Sequence, residues 1–233
     1  MVLGLNKGHK YEDFIFDRLE KLNLMYPGTK KEGMAGGVDS IFCHNGKPYS
    51  LEIKDGLEAD YGQKKFNWDN TNGWDWSVHD EVTDFYTGLG VLSYVQEKKI
   101  KPNRYLKEKS KITYGDAKED QTKFEDRTFE VTADALWKYY SAKNVHYIQV
   151  GKGYGFYHLD KDIAKLGTPQ FNCSYILRFR AKYHDRTDRQ HKTYLPTPWN
   201  YSFFAVLKVK TKPIPSKYNI EKSDGQELPP INP

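Results

Sequence analysis

Cysteine is scarce in this chain, with only Cys43 and Cys173 among 233 residues. Two cysteines so far apart lack the paired spacing of a zinc site, and His44 beside Cys43 does not supply it. They also argue against a disulfide scaffold. We therefore expect two buried thiols in a protein of a reducing compartment.

Long apolar runs are missing as well. No stretch approaches the roughly 20 apolar residues of a membrane span, and residues 1–6 lack the apolar core of a signal peptide. The glycine-rich segment 151–155 lacks the spacing of a phosphate-binding P-loop, so we interpret it as a tight turn. We expect a soluble, cytoplasmic protein without a membrane partner.

A large charge of one sign is also absent, because the formal net charge is only +5. A nucleic-acid surface would therefore have to come from local clustering of basic residues. Aromatic residues make up 15% of the chain and supply much of the volume of a core. We predict a single domain over residues 1–210, followed by an extended or disordered tail over 211–233.

A β-hairpin is predicted over residues 38–54. Asn45-Gly46 marks a two-residue turn between a short strand that follows Asp39 and a strand that ends in Glu52-Ile53-Lys54. Alternation along the second strand places Glu52 and Lys54 on one face. Pairing of the strands brings Asp39 to the same end, so two carboxylates and an amine converge at one edge of a small sheet.

This grouping suits a divalent cation. Neighbouring carboxylates repel each other unless a cation joins them, and oxygen ligands suit Mg²⁺, with Mn²⁺ as a substitute. The metal ligands we predict are Asp39, Glu52 and the carbonyl oxygen of Ile53. Lys54 would orient or deprotonate a water, or neutralise charge on a phosphoryl group. The alternative is a surface hairpin whose Glu52 and Lys54 form an ordinary solvated pair.

The pattern Asp39…Glu52-Ile53-Lys54 resembles the catalytic core of the PD-(D/E)XK nuclease superfamily, which includes most type II restriction endonucleases. The resemblance covers roughly residues 9–66, and Val38 replaces the proline of the family name at a position that varies. An acid-x-Lys tripeptide occurs twice more in the chain, but only this one follows a hairpin turn and a Gly-Gly-Val-Asp segment. The resemblance implies hydrolysis of DNA to 5′-phosphate and 3′-hydroxyl ends, with Asp39, Glu52 and Lys54 catalytic.

An amphipathic helix is predicted over residues 9–23 from an apolar face at helical spacing, formed by Tyr11, Phe14, Ile15, Leu19 and Leu22. In the family that the chain resembles, an acid on this helix helps to hold the metal or water. Glu12 matches that position and is our fourth catalytic candidate, although Asp13 matches it equally. The alternative is that both acids only favour the helix dipole.

Basic residues follow the hairpin in two places. The resemblance implies a glutamine and basic residues on a helix or loop that faces the DNA, and Gln63, Lys64 and Lys65 are the loose match. A second run, between residues 98 and 111, holds seven basic residues and one acid. It predicts either a mobile arm on DNA or a solvated face.

Residues 67–76 (NWDNTNGWDW) fit no regular period, so we predict a loop. Asn72 would read base edges and Trp74 would stack on or wedge between bases. The alternative is a loop fixed to the core by its tryptophans, Trp68 more than Trp74 or Trp76.

Residues 175–184 predict a strand with one apolar and one cationic face. A row of positive charge suits phosphates, and arginine pairs also suit guanine edges. The alternative is a strand kept soluble by its charge. The DNA-binding candidates here and just after the strand are Arg178, Arg180, Lys182, Arg186, Arg189 and Lys192.

We therefore predict an α/β fold, with a mixed central β-sheet flanked by helices as in restriction endonucleases and a peripheral β region over 175–210. Further helices are expected over 78–96 and 130–142, and further strands over 145–150, 156–159 and 203–210. The predicted function is a Mg²⁺-dependent endonuclease on double-stranded DNA, most simply a homodimeric type II restriction enzyme. The alternatives are a phage-type or junction-resolving nuclease, and a nucleic-acid-binding protein without catalysis.

Overall fold

The structure, a computed structural model, describes residues 7–29, 38–184, 197–221 and 227–233. In these ranges the helices are α1 (Lys7–Lys21), α2 (Glu81–Gly88), α3 (Val91–Glu97), α4 (Asn103–Leu106), α5 (Tyr114–Phe124) and α6 (Asp134–Ser141), with a short 3-10 helix at Lys109–Lys111. The strands are β1 (Ser40–His44), β2 (Lys47–Lys54), β3 (Tyr61–Asp69), β4 (Gly73–Trp76), β5 (Thr128–Val131), β6 (Tyr147–Val150), β7 (Gly155–His158), β8 (Tyr175–Tyr183) and β9 (Tyr201–Val209). Among the described helices, none has the length and apolar character needed to span a bilayer.

The strands form two sheets. One has four strands in the order β1-β2-β6-β7, and the other has five in the order β4-β3-β9-β8-β5. The first sheet is mixed, because β2 pairs parallel with β6 while β1 and β7 pair antiparallel at the two edges. The predicted α/β class with a mixed sheet and helices is confirmed.

The contacts within the chain divide it into two compact units. The hairpin unit comprises Leu5–Ala59, Thr132–Ser174 and Val209–Pro233 and contains the mixed sheet. The aromatic unit is built mainly from Asp60–Val131 and Tyr175–Lys208 and contains the five-stranded sheet. Each unit combines segments that are distant in the chain, since β6 and β7 complete the sheet that β1 and β2 begin. The single domain expected over 1–210 stays a prediction.

The predicted hairpin forms with the expected turn. Asn45 and Gly46 both have positive φ angles, 50° and 71°, as a two-residue turn between twisted strands requires. The register pairs Ser40 with Leu51 and so brings the start of β1 beside the end of β2. Helix α1 packs against β2. The apolar cluster between them includes Ile15, Leu19, Phe42, Leu51 and Ile53.

The apolar face of α1 differs by one residue from the expected one. Phe14, expected to point inward, is 46% exposed, whereas Phe16 is buried. Ile15 and Leu19 are fully buried as expected, and the helix ends two residues earlier than predicted. The buried face of α1 is centred on Ile15 and Leu19, and Phe16 lies at the edge of that face.

The C-terminal segment is packed where the structure describes it, in residues 211–221 and 227–233. The N–H of Phe156 donates to the carbonyl of Tyr218 over 2.7 Å, and Ile220 is fully buried. The side chain of Gln149, also fully buried, accepts from the N–H of Ile220 and donates to Asn219. These residues satisfy buried polar groups of β6 and β7, so the described part of the segment is held by the hairpin unit, and of the two alternatives, extended or disordered, it fits the extended one.

Residues 67–76 are not a loop. They are the end of β3, a turn and all of β4, and the register pairs Trp68 with Trp74 and Phe66 with Trp76. Side chains two residues apart in each strand point into the same core, where the ring of Phe66 stacks on that of Trp76. In the sequence, the polar turn residues 70–72 between the two strands obscure this period of two.

The helices that follow β4 are shorter than predicted. The helix expected over 78–96 is two helices, α2 and α3, separated at Gly90, whose φ of 80° ends the helical path. The run over 98–111 is not an arm; it contains α4 and a 3-10 helix, and the N–H of Asn103 donates to the buried carboxylate of Asp120 on α5. The helix expected over 130–142 begins only at Asp134, because the preceding residues form β5.

Candidate active site

The hairpin places Asp39 against the end of β2. The backbone N–H of Ile53 donates to Oδ2 of Asp39 over 2.8 Å. The N–H and C=O of one strand residue point to the same side, so the carbonyl of Ile53 also faces Asp39. The next carbonyl, of Lys54, points to the opposite side and accepts from the N–H of Gly151. A carboxylate and a backbone carbonyl therefore converge beyond the start of β1.

Glu52 lies in the same group but is almost completely buried, with 6% of its surface exposed. Its Oε1 forms an ion pair with the ammonium of Lys54 and accepts a hydrogen bond of 2.9 Å from the hydroxyl of Tyr140. The surface hairpin with a solvated pair is therefore not what forms. Tyr140 lies on α6, and nothing near it in the sequence indicates that its hydroxyl reaches this carboxylate.

The pKa values of Asp39 and Lys54 are set by burial and by the charges of the neighbouring acids and amine. Burial, followed by the charge of Glu52, raises the pKa of Asp39 from its ordinary 3.8 to about 7. Lys54 counteracts this only in part. Burial alone would lower the pKa of Lys54, but the charges of Glu52 and Asp39 outweigh it and raise that pKa. Among the described residues, the ammonium of Lys54 therefore offsets only part of the effect of burial and of Glu52 on Asp39.

Glu12 is close enough to act on this group. Its charge adds to the rise in the pKa of both Asp39 and Lys54. Its Oε2 lies 3.0 Å from Nδ1 of His9, one turn earlier on α1. Of the two acids that the sequence left open, Asp13 and Glu12, the structure therefore gives Glu12 an electrostatic link to the site.

Oxygen donors of the kind that Mg²⁺ takes, two carboxylates and a backbone carbonyl, belong to this group of residues. Among the described residues, no three His, Cys, Asp or Glu side chains are grouped to hold a metal ion. Mg²⁺ usually keeps several waters and takes one or two carboxylates. The described contacts of the two carboxylates involve Oδ2 of Asp39 and Oε1 of Glu52. The second oxygen of each, with the carbonyl of Ile53, forms a set of hard oxygen donors.

Trp74, predicted to stack on bases, is a core residue. It is 1% exposed, and its indole N–H donates to the carbonyl of Ile100 over 3.0 Å. A ring enclosed in this way cannot reach a base, so this prediction is wrong. Asn72 is exposed at the β3–β4 turn, where its backbone N–H and its side-chain amide both donate to Asp69.

Gln63, Lys64 and Lys65 lie on β3 and not on a helix or loop. Lys64 forms an ion pair with Asp80, the residue that caps the N-terminus of α2. Lys65 is exposed. Gln63 accepts a hydrogen bond of 2.7 Å from the ammonium of Lys182 on β8, which links it to the cationic face of that strand.

The cationic face of β8 forms as predicted, but an acid lies at its centre. Asp60 contacts four cations, which with it make up what we call the Asp60 cluster. The nitrogen–oxygen distances are 3.3 Å for Arg178, 2.8 Å for Arg180, 2.9 Å for Lys182 and 3.5 Å for Lys208. Burial opposes its ionisation, yet these charges, that of Lys182 first, lower the pKa of Asp60 to about 2.

The sequence did not indicate Asp60 as a partner of these cations, because it lies 118 residues before Arg178. The remaining DNA-binding candidates, Arg186, Arg189 and Lys192, lie outside the described residues. Comparisons of the chain with protein-family models, with curated proteins and with solved structures give no match.

Proposed function

We propose that the hairpin unit carries the active site of a Mg²⁺-dependent endonuclease that hydrolyses phosphodiester bonds of double-stranded DNA. The observation that carries the proposal is the buried pair of Asp39 and Glu52, beside which the described part of the chain places one ammonium, that of Lys54. Burial next to Glu52 raises the pKa of Asp39 to about 7. A further cation would stabilise this pair of carboxylates, and their oxygen ligands favour a hard cation such as Mg²⁺.

Each residue has a distinct role in this proposal. Asp39, Glu52 and the carbonyl of Ile53 would hold Mg²⁺, which would lower the pKa of a water and offset charge on the phosphate. Tyr140 fixes the rotamer of Glu52 through its hydrogen bond. Lys54 orients or deprotonates the attacking water, or keeps its proton and stabilises the phosphoryl charge. Glu12 supports the site from α1.

The resemblance extends the proposal to a type II restriction enzyme that acts as a homodimer, so that two sites cut both strands of a palindrome. A cytoplasmic location belongs to the same proposal. It is supported by Cys43 and Cys173, which are both free, buried thiols, as expected in a reducing compartment.

The test is cleavage of supercoiled and linear plasmid DNA with Mg²⁺, Mn²⁺ or EDTA. Asp39→Asn and Glu52→Gln should each abolish cleavage while circular dichroism shows a folded chain. Glu58→Gln is the matched control, because it makes the same change at an acid of the same unit that is 66% exposed and paired with Lys152. Cleavage by Glu52→Gln at the rate of Glu58→Gln would remove Glu52 from the site.

The rival is a nucleic-acid-binding protein without catalysis, and the Asp60 cluster is the observation that favours it. That protein would bind DNA equally well with Mg²⁺ and with EDTA, and would leave it intact under both.

Mapping the ends released from a random-sequence DNA library identifies the cleavage position, if cleavage occurs, and so distinguishes a restriction enzyme from a junction-resolving or other structure-specific nuclease.

A further inference from the structure

The Asp60 cluster has an unusual ratio of charges. Four cationic side chains surround one carboxylate, and each of the four is only 18–33% exposed. The cations come from two neighbouring strands, β8 and β9, and Asp60 immediately precedes β3 on the other side of β9. The side chains therefore point at one place on one sheet.

Asp60 does not neutralise this group. Within these five residues the charge is four positive against one negative. Burial lowers the pKa of Lys208; the charge of Asp60 counteracts this, and the charges of Arg178 and Arg180 add to the lowering. Arg178 also has a buried Nε that donates to no partner. Arg178 thus keeps a donor for another anion, within a cluster in which four cations contact one carboxylate.

We propose that the Asp60 cluster is a binding site for a backbone phosphate of duplex DNA, and that the carboxylate of Asp60 occupies the place of that phosphate and weakens its binding. A phosphodiester presents the same kind of oxygen acceptors as Asp60 with the same single charge, so the cations arranged around a carboxylate also suit a phosphate. Asp60 has a second effect, because it holds the mutually repelling cations in place when no DNA is bound. This inference rests on the proposed function in its choice of DNA as the partner.

The experiment measures how tightly the protein binds a short DNA duplex over a range of salt concentrations. EDTA is present and every protein carries Asp39→Asn, so that cleavage does not contribute. Asp60→Asn should bind the duplex about tenfold more tightly at 0.1 M salt, because one more cation becomes available to a phosphate. The slope of log K against log salt should become steeper by about one unit. Asp84→Asn, at an exposed acid of the same unit, makes the same change in net charge and should alter neither quantity.

A second pair of variants covers the case in which Asp60→Asn does not fold. Arg180→Gln and Lys208→Gln should each reduce the slope by about one unit relative to the parent protein. Unchanged slopes in both would overturn the proposal. So would an Asp60→Asn protein that is folded but binds DNA no better than Asp84→Asn, since Asp60 would then only hold the strands together.

Free phosphate is the other source of the same chemistry. If inorganic phosphate raises the melting temperature of the wild-type protein and not of Arg180→Gln, while the DNA affinity of Asp60→Asn is unchanged, the site binds phosphate ions and the DNA proposal fails. The outcomes for the two proposals are separable. If Asp60→Asn binds DNA more tightly but the wild-type protein shows no Mg²⁺-dependent cleavage, this phosphate site is supported and the nuclease is rejected. If the wild-type protein cleaves DNA but Asp60→Asn binds it no more tightly, only this phosphate site is rejected.

Discussion

The hydroxyl of Tyr140 donates to Oε1 of Glu52, the oxygen that also pairs with Lys54. A hydrogen bond to a buried charge contributes about 1.5–3 kcal/mol. Tyr140→Phe should lower the free energy of unfolding by about that amount, measured in urea. It should also raise the Mg²⁺ concentration needed for half-maximal cleavage, because Glu52 loses the group that fixes its rotamer.

Tyr139→Phe is the matched control for this variant. Tyr139 is half-buried on the same helix, and its ring packs edge-on against that of Tyr140. Removal of its hydroxyl should leave the Mg²⁺ requirement unchanged. Equal Mg²⁺ requirements for Tyr140→Phe and Tyr139→Phe would show that the hydrogen bond only stabilises the fold.

The raised pKa of Asp39 predicts that stability without metal falls as pH rises. Asp39 titrates near 3.8 in an unfolded chain and at about 7 in the fold. Between these values the folded protein holds a proton that the unfolded chain has lost, so the free energy of unfolding decreases by up to about 1.4 kcal/mol per pH unit. Above pH 7 this decrease ends. Urea unfolding in EDTA from pH 4.5 to 8.5 measures it.

Asp39→Asn should remove this part of the pH dependence, whereas Asp13→Asn, a half-buried acid on α1, should keep it. Mg²⁺ should restore stability at pH 8 in the wild-type protein and not in Asp39→Asn, because it binds the ionised, folded form. Identical pH profiles for the wild-type protein and Asp39→Asn would contradict the assignment of a raised pKa to this residue.

The hairpin was predictable because its signals are local. The Asn-Gly turn, the alternation of β2 and the position of Asp39 lie within 17 residues, and together they fix the register that brings Asp39 to Ile53. The alternation of β8 likewise gave its apolar and cationic faces correctly. In both strands the period of two determines which side chains share a face.

Contacts between distant parts of the chain were not predictable in this way. Tyr140 is 88 residues from Glu52, and Asp60 is 118–122 residues from the cations of β8. Their pairing depends on strand order, which no local pattern encodes. The packing of the C-terminal segment depends on the buried amide of Gln149, and composition alone indicated only an extended tail.

The burial of Trp74 predicts a loss of stability and not of DNA contact. Its ring packs against Phe124 and Phe203 in the core of the aromatic unit. Trp74→Ala should cost about 3–5 kcal/mol in urea unfolding, as large-to-small changes at buried aromatic residues do. Trp74→Phe, which keeps a ring, should bind duplex DNA like the wild-type protein. Weaker DNA binding by a fully stable Trp74→Phe would restore a role for this residue in recognition.

Substitution of Lys54 distinguishes an active nuclease from a protein that binds the metal without cleaving DNA. Glu52 and Asp39 raise its pKa, so its ammonium is the charged form in the absence of Mg²⁺. A bound Mg²⁺ would compensate the same carboxylates and ease release of the proton, so Lys54 could act as a base or remain an ammonium beside the phosphate.

Under either role, Lys54→Ala should bind Mg²⁺ and DNA but cleave about 10²-fold more slowly or worse. Lys54→Arg should recover little, because a planar guanidinium does not reproduce a compact ammonium. Single-turnover cleavage of bound DNA at saturating Mg²⁺ measures this, with Lys152→Ala, a half-exposed lysine paired with Glu58, as the matched control. Cleavage by Lys54→Ala within a few-fold of Lys152→Ala would reject the mechanism even if Asp39 and Glu52 proved essential.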